Sequence, residues 1–226
     1  MSVEDSQALW LGLEKDIRPA PMVLGRYTTQ AYIDDPCALA FISARYKFCS
    51  KMLAGKSNVL EIGCGDGFGG ALVAQKVQRL LCTDINAELI EDNKDRMSRF
   101  ANIDYLFHDF RTGPCDGDFD AAYCVDVIEH IFPKEEEEFL GNILKSLSDS
   151  GVFAIGTPNK TAERYSSPYS REGHVNLKEF DDLEQLGRKY FRNHFIFGMN
   201  DEVVHTGYPP MAHFLWLLGI GPKRSN

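Results

Sequence analysis

Residues 59–67, with the sequence VLEIGCGDG, decide the fold of this chain. A short apolar run that contains Glu61 passes directly into a glycine-rich turn, and residues 68–77 then have the composition of a helix. Glycine permits unusual backbone angles and lets a ligand approach the backbone closely. A strand, a glycine loop and a helix in this order form the unit with which α/β proteins bind nucleotide-like ligands. The stretch therefore predicts such a ligand at the end of a parallel strand.

The spacing of the glycines separates two classes of ligand. A dinucleotide fingerprint G-x-G-x-x-G beginning at Gly63 needs a glycine at position 68, which is Phe68. The chain instead has E-x-G-x-G-x-G, with Glu61 two residues before the first glycine. A nucleotide-dependent dehydrogenase is therefore disfavoured, and little chain remains for its substrate domain. A lone glycine loop is weak evidence for a ligand class, so the residues downstream must supply further evidence.

Acidic residues end the next two predicted strands. Residues 79–83 are an apolar strand candidate that Asp84 closes, and a carboxylate about 20 residues past a glycine loop suits hydrogen bonds to ribose hydroxyls. Ile85 follows and offers an apolar surface to an adenine ring. Residues 103–110 are a third strand candidate, with Asp109 at its end.

Two further strand candidates complete an alternating pattern. Residues 119–125 are followed by D-V-I-E-H-I at 126–131, and residues 151–159 form the fifth candidate. Helical signals separate the strands, which predicts a doubly wound parallel sheet. The predicted helices are 37–52, 68–77, 86–99, 134–148 and 177–190, a sixth strand is predicted at 195–199, and the apolar tail at 211–218 is compatible with either a strand or a buried helix.

Residues 51–159 resemble the class I S-adenosylmethionine (SAM) methyltransferases, with motif I at 61–67 and a post-strand-four motif at 126–131 like that of small-molecule and quinone methyltransferases. A looser resemblance is to glycan O-methyltransferases. The resemblance implies a Rossmann-like α/β fold with a doubly wound, seven-stranded, mostly parallel sheet and an N-terminal helical lid. It also implies one domain over residues 1–226, with a lid or extension at 1–52, a SAM-binding half at 53–160, and an acceptor-side insert with C-terminal strands at 161–226.

The resemblance implies SAM as the cofactor and S-adenosylhomocysteine as its product. Glu61 and the backbone of residues 63–67 are expected to hold the methionine end, Asp84 the ribose, and Asp109 with Phe110 the adenine. The full set of expected cofactor contacts is Glu61, Gly63, Cys64, Gly65, Asp84, Ile85, His108, Asp109, Phe110 and Val125.

Two histidines are the candidates for proton transfer beyond strands four and five. His174 lies in a polar insert at 160–176, and His130 lies in the post-strand-four motif. Imidazole titrates near neutrality and can accept the proton of a hydroxyl. Each has a plainer alternative, because His130 can orient its loop and His174 can be an exposed loop residue.

The same region allows a metal-assisted alternative. Asp126, Glu129 and His130 with His174 resemble the E-x-x-E-H…H ligand set of metal-dependent methyltransferases that act on quinone precursors or on 2′-hydroxyls of small RNA. Such ligands can hold a divalent cation that lowers the pKa of a hydroxyl. Asp126 stands where those families have glutamate, and D-x-x-E-H also occurs in relatives without metal, so a metal-free site is favoured.

Aromatic and basic residues outside these motifs are the candidates for acceptor binding: Tyr27, Tyr32, Arg45, Tyr169 and Arg171. They suit a sugar or another polyhydroxylated small molecule, so methylation of a hydroxyl is the expected reaction. The same aromatics could instead pack the domain or form a homodimer interface. A domain that binds SAM without turnover is a further alternative.

Composition limits the partners. The 226 residues include 33 acidic and 24 basic ones, for a net charge of −9, whereas nucleic-acid binding depends on clusters of Lys and Arg. The acidic run at 135–138 follows Pro133 and predicts a solvated helix start rather than a metal site. Six scattered cysteines, the absence of a secretory pattern at residues 1–5 and the lack of a long apolar run predict a reduced, cytoplasmic protein without a membrane span.

Overall fold

A computed structural model describes residues 5–15, 17 and 21–224, except for the side chains of residues 168 and 169. Eight strands form one sheet in the order β3-β2-β1-β4-β5-β8-β6-β7. The strands are β1 Asn58–Ile62, β2 Arg79–Asp84, β3 Ile103–Phe107, β4 Phe119–Val125, β5 Leu147–Pro158, β6 Phe191–Asn200, β7 Val203–His205 and β8 Phe214–Pro222.

The first five strands are parallel, and β8 runs antiparallel between β5 and β6. The order reverses at β1, which pairs with β2 on one side and with β4 on the other. In open parallel sheets, ligands bind beyond the carboxyl ends of the strands at such a reversal. The glycine loop follows β1, and Asp126 follows β4, so both lie at this point.

Helices cover both faces of the sheet, which confirms the doubly wound prediction. One core contains Phe48, Val73 and Ile90 against one face, and the other contains Phe139 and Leu183 against the opposite face. The helices are α1 Ser6–Glu14, α2 Arg26–Asp34, α3 Ala38–Met52, α4 Gly70–Ala74, α5 Ala87–Arg96, α6 Glu136–Ser146, α7 Pro168–Gly173 and α8 Phe180–Tyr190. Short 3₁₀ helices occupy Ile128–His130, Lys160–Tyr165 and Pro209–Met211.

The apolar tail is a strand. Residues 214–222 form β8, in which Leu215, Trp216 and Leu217 are fully buried between β5 and β6. The short β7 at the edge adds an eighth strand to the seven that were predicted. Within the described residues, no helix is long and apolar enough to cross a membrane. The division of the chain at residues 52 and 160 stays a prediction.

Candidate cofactor and acceptor sites

The glycine loop has a backbone that side chains would not tolerate. Gly63, Gly65 and Gly67 have φ angles of 72°, 52° and 72°. A Cβ atom on Gly63 would stand 2.5 Å from Cγ2 of Val127, which follows β4. The backbone N–H groups of Gly63 and Cys64 both donate to the Thr83 carbonyl at 2.9 Å. The loop is therefore fixed against β2 and the segment after β4.

The N-terminal segment is attached directly to this loop. The buried carboxylate of Asp66 accepts the backbone N–H of Thr28 at 2.8 Å and its hydroxyl at 3.0 Å. Tyr27, the preceding residue, lies beside the loop, with Cδ2 3.8 Å from where a Cβ of Gly65 would stand. The helix α2 that carries both residues thus begins against the glycine loop, as expected of a lid. Sequence reasoning missed Thr28 and Asp66, because their contact joins segments far apart in the chain.

The helix α5 satisfies the outward carbonyls of the loop. Asn93 donates from Nδ2 to the Gly65 carbonyl at 2.8 Å, and the Arg96 guanidinium donates to the Asp66 carbonyl and to Asn93 Oδ1. Asn93 is fully buried and the Arg96 side chain is 9% exposed, so neither is a surface residue. Their only sequence signal was a position on the helix after the second strand.

Asp84 occupies the position that sequence reasoning assigned to it. Its Oδ2 accepts the Gly65 N–H and its Oδ1 accepts the Asn86 N–H, both at 2.9 Å. A 640 Å³ pocket lies beside it, with Tyr27, Gly65 and the exposed Ile85 in its wall. The carboxylate is therefore fixed at the rim of the loop, next to open space. Its contact with a ribose stays a prediction.

Glu61 lies beneath the loop rather than in its wall. The residue is 1% exposed, and its Oε2 accepts the Cys82 thiol at 2.9 Å. Burial raises the pKa of Glu61 to about 7. The carboxylate thus lies below the surface of the loop groove, and its expected contact with the methionine end stays a prediction.

The segment after β3 departs from expectation. The Asp109 carboxylate is held by Arg111, whose Nε and Nη2 lie 3.0 and 2.8 Å from its two oxygens, and this hydrogen bonding lowers the pKa of Asp109. Phe110 is 2% exposed and its ring packs in the core against Phe139, so the expected contact of this residue with adenine stays a prediction. The His108 ring contacts the Phe110 ring, and its Nε2 lies 3.1 Å from the Gly113 carbonyl oxygen. An adenine contact from Asp109 would have to compete with Arg111.

Two cavities meet at Asp126. A 230 Å³ cavity, the loop groove, is lined by the glycine loop, Tyr27, Val125 and Asp126. An 850 Å³ cavity, the large pocket, is lined by Asp126 and by the insert that follows β5. Asp126 has a φ angle of 57°, a left-handed conformation that is rare for residues other than glycine. A ligand in the loop groove would therefore reach the large pocket at this residue.

Arg45 holds the junction. Its Nη1 lies 2.7 Å from Oδ2 of Asp126, and its guanidinium lies over the Phe214 ring, 4.1 Å from the centroid. Arg45 also lines the large pocket, and its contact with an acceptor stays a prediction. The ion pair shows that Asp126 has a partner within the chain.

The other predicted acceptor residues are placed less favourably. Arg171 donates to the Ser166 carbonyl at 2.8 Å and is not in the wall of the large pocket, so it orders the insert. Tyr32 is exposed on α2, away from the cavities described here. Tyr169 lies in α7, and its side chain is outside the described part of the structure. Arg164 and His213, which line the large pocket, were not predicted.

The two candidate histidines come together. The rings of His130 and His174 are 5.3 Å apart between centroids, and His174 lines the large pocket. His130 Nδ1 lies 2.9 Å from the Gly173 carbonyl, which supports the loop-orienting role. Burial lowers the pKa of His174, and the neighbouring His130 acts in the same direction. A neutral His174 is the form that can accept a proton.

Glu129 completes this cluster. Ligand atoms of Glu129, His130 and His174 all lie within 4.8 Å of one another. Glu129 is fully buried, its Oε2 accepts the Thr157 hydroxyl at 3.0 Å, and its Oε1 has no hydrogen-bond partner among the described residues. Burial raises the pKa of Glu129, and the nearby Asp126 adds to the effect. Asp126 is not in the cluster, so the four-residue ligand set reduces to three.

Comparison with known proteins supports the reading of these motifs. Residues 60–153 match the family described as a methyltransferase domain. A probable SAM-dependent methyltransferase of Mycolicibacterium smegmatis is 28% identical over 51% of this chain and 43% of its own length. A ubiquinone biosynthesis O-methyltransferase of Rickettsia bellii is 29% identical over 47% of this chain and 44% of its own length. The chain thus spans less than half the length of these two curated relatives.

A solved structure shows the same fold. The N-methyltransferase NodS from Bradyrhizobium japonicum, in complex with S-adenosyl-L-homocysteine, superposes with a TM-score of 0.63 at 18% identity, over 85% of this chain and 91% of that protein. The strand order, the glycine loop at its reversal and these similarities agree with one another. Residues 60–153 match a methyltransferase domain, and the fold and the relatives support a class I SAM-dependent methyltransferase with S-adenosylmethionine as its cofactor.

Proposed function

We propose that this protein transfers the methyl group of SAM to a hydroxyl of a small polar molecule, most consistently a sugar or another polyhydroxylated metabolite. One observation carries the proposal: Asp126 lines both the loop groove and the large pocket. A donor held at the glycine loop would present its methyl group to an acceptor in the large pocket. That pocket contains Arg45, Asn159, Thr161 and His174, which supply hydrogen-bonding groups for a polar acceptor.

The reaction is a displacement at carbon. The acceptor oxygen forms a bond to the methyl carbon while the carbon–sulfur bond breaks, and its electron pair stays on sulfur, which leaves S-adenosylhomocysteine. The protein's contribution is alignment of the oxygen and removal of its proton. In this proposal His174 accepts that proton and His130 keeps the His174 loop in place. The Gly63–Gly67 backbone and Asp84 hold the donor.

A methylation assay tests the proposal. Labelled SAM is offered with a panel of monosaccharides and polyols, and the product is analysed by mass spectrometry for the methylated atom. We expect O-methylation that His174→Ala lowers by about 10²-fold or more in kcat, since general base catalysis contributes about that much. Binding of S-adenosylhomocysteine, measured by calorimetry, should be unchanged in His174→Ala. Methylation at nitrogen or carbon would contradict the hydroxyl assignment.

A metal-assisted version of the reaction is the second candidate. The observation in its favour is the unpartnered, fully buried Oε1 of Glu129, in the cluster with His130 and His174. One carboxylate and two imidazoles are a donor set that suits zinc or another transition metal. A cation held there would stabilise negative charge on an acceptor oxygen.

Calorimetry separates the two candidates without an activity measurement. Mn²⁺ or Zn²⁺ is titrated into the protein and into Glu129→Gln and His174→Ala, with His205→Ala as a control for a histidine outside the cluster. Binding that is lost in the first two variants and kept in the control would favour the metal. Equal heats for all four proteins would exclude this cluster as the metal site.

A further inference from the structure

A second cavity adjoins the large pocket through a shared wall. This 580 Å³ cavity, the far cavity, lies between the start of α8, β6 and the 3₁₀ helix at Pro209–Met211. Asn159, Thr161 and Pro210 line both the far cavity and the large pocket. Their volumes, 580 and 850 Å³, both fall within the range of about 300–1,000 Å³ that is typical of ligand sites.

Hydrogen bonds hold the residues that line both cavities. Thr161 donates from its hydroxyl to the Pro210 carbonyl at 3.0 Å, and Asn159 donates from Nδ2 to the carbonyls of Pro209 and Ala212 at 2.9 Å. Asn159 is 2% exposed, so these bonds fix the position of the wall. The two cavities therefore adjoin at residues whose positions are fixed, and a ligand long enough to occupy both would contact Asn159, Thr161 and Pro210.

The lining of the far cavity has two kinds of surface. Phe180 and Ile196 offer apolar faces, together with the rings of Pro209 and Pro210. Asp181, in the first turn of α8, supplies a carboxylate and Thr206 supplies a hydroxyl, whereas the Glu179 carboxylate lies 3.7 Å from Lys160 Nζ. A carboxylate accepts hydrogen bonds from hydroxyl groups, and an aromatic ring packs on the apolar face of a saturated ring. This combination fits a ring that carries hydroxyl groups along its edge.

We propose that the far cavity is a second acceptor subsite, which takes a further hydroxyl-bearing ring attached to the one that is methylated. The acceptor is then a glycan of at least two units rather than a free monosaccharide. This inference rests on the proposed function, because it assumes that the methylated unit occupies the large pocket beside His174. It adds Phe180 and Asp181 as residues that determine specificity without touching the reacting atoms.

Saturation-transfer NMR and calorimetry with defined probes test the subsite. The protein, saturated with S-adenosylhomocysteine, is titrated with methyl monoglycosides and with the matching disaccharides. We expect at least one disaccharide to bind about tenfold or more tightly than its monoglycoside. Phe180→Ala and Asp181→Asn should remove that advantage and leave monoglycoside binding unchanged. Asp116→Asn, which changes an exposed aspartate just before the amino end of β4 that lines neither cavity, is the control.

The outcomes distinguish the subsite from the proposed function. Equal affinities for monoglycosides and disaccharides, unaffected by both variants, would overturn the subsite and leave the proposed function standing. If the protein binds S-adenosylhomocysteine but no saccharide of either length, the saccharide acceptor itself is wrong, and the subsite falls with it. If the protein does not bind S-adenosylhomocysteine, the result contradicts the proposed methyl transfer itself, whatever the saccharide binding.

Discussion

Thr28 donates both its backbone N–H and its hydroxyl to the carboxylate of Asp66, so the first turn of α2 is fastened to the glycine loop by two hydrogen bonds to one buried side chain. The arrangement places Tyr27 beside Gly65 and in the wall of the loop groove. The N-terminal segment thereby lines the loop groove, and the Thr28 part of its attachment can be removed by substitution.

We expect Thr28→Val to weaken both the fold and donor binding. The substitution keeps the shape but deletes one hydrogen bond to a charged group, worth about 1.5–3 kcal/mol. Denaturant unfolding should show this loss, and calorimetry should show weaker binding of S-adenosylhomocysteine. Thr29→Val is the matched control, because the Thr29 hydroxyl bonds to the Leu24 carbonyl at 3.3 Å on the surface. Equal effects of the two substitutions would contradict the role of Asp66.

Asp84→Ala should reduce donor affinity severely. The carboxylate supports the Gly65 N–H and stands beside open space, so its removal loses both the loop contact and the predicted ribose contact. Two charge-assisted hydrogen bonds of about 1.5–3 kcal/mol each correspond to about a 100-fold loss or more. Calorimetry with S-adenosylhomocysteine measures it, and Asp104→Ala on the edge strand β3 is the control. An unchanged affinity in Asp84→Ala would remove the ribose assignment.

The features that could be predicted from sequence are those that depend on residues close together in the chain. Most of the strand candidates are apolar on both faces, as parallel strands under two layers of helices must be, so their positions in the chain were foreseeable. The glycine spacing predicted the turn at Gly63. The position of Asp84, about 20 residues past that loop, predicted a carboxylate at the end of the second strand. In the same way, the pairing of His130 with His174 followed from placing both residues beyond strands four and five.

What sequence could not show depends on contacts between distant segments. Asn93 and Arg96 read as ordinary polar residues on α5, and only the folded chain brings them to the loop carbonyls. Phe110 follows the third strand, where an aromatic side chain could face a ligand. In the structure its ring packs against Phe139 of α6. Glu61 faces inward because the side chains of β1 alternate between two buried cores, so its acidity gave no sign of its burial.

The buried Glu61 predicts a loss of stability with rising pH. An unfolded glutamate titrates at its ordinary pKa of 4.5, whereas burial raises the pKa in the folded chain to about 7. Between these values the folded state holds a proton that the unfolded state has released. The stabilisation is therefore complete below pH 4.5 and is lost as the pH rises through 7, with a limit of about 3 kcal/mol.

Glu61→Gln tests whether this residue makes the protein less stable as the pH rises. A neutral amide in the same place removes the titration, so the free energy of unfolding should fall less between pH 5 and pH 8 than it does in the original protein, by up to about 3 kcal/mol. Urea unfolding at both pH values measures the difference. Glu88→Gln, whose side chain is 86% exposed, is the control and should leave the pH dependence unchanged. Parallel pH profiles for Glu61→Gln and the original protein would contradict the buried, proton-holding carboxyl.

Lys178 and Glu136 fix the end of the insert that carries His174. Lys178 Nζ lies 2.5 Å from Glu136 Oε2 and donates to Asn176 Oδ1 at 2.8 Å, while Asn176 Nδ2 donates to the same glutamate at 2.6 Å. The side chains of Lys178 and Glu136 are 9% and 17% exposed. The acidic run does start the helix α6, as expected, but the Glu136 side chain is largely buried rather than solvated, because Lys178 packs onto it.

Lys178→Met should therefore act on turnover through His174. Deleting one partner of a buried ion pair costs about 3–5 kcal/mol, and here the loss frees the segment next to His174. We expect kcat to fall by about tenfold or more while binding of S-adenosylhomocysteine stays the same, and the His174 ring resonances should shift in NMR spectra. Lys178→Arg should restore much of the turnover, because it keeps the charge. The control is Lys189→Met, since Lys189 pairs at 3.2 Å with the neighbouring Glu137 in an exposed ion pair. If Lys178→Met and Lys189→Met lowered kcat equally, the Lys178–Glu136 pair would not be what positions His174.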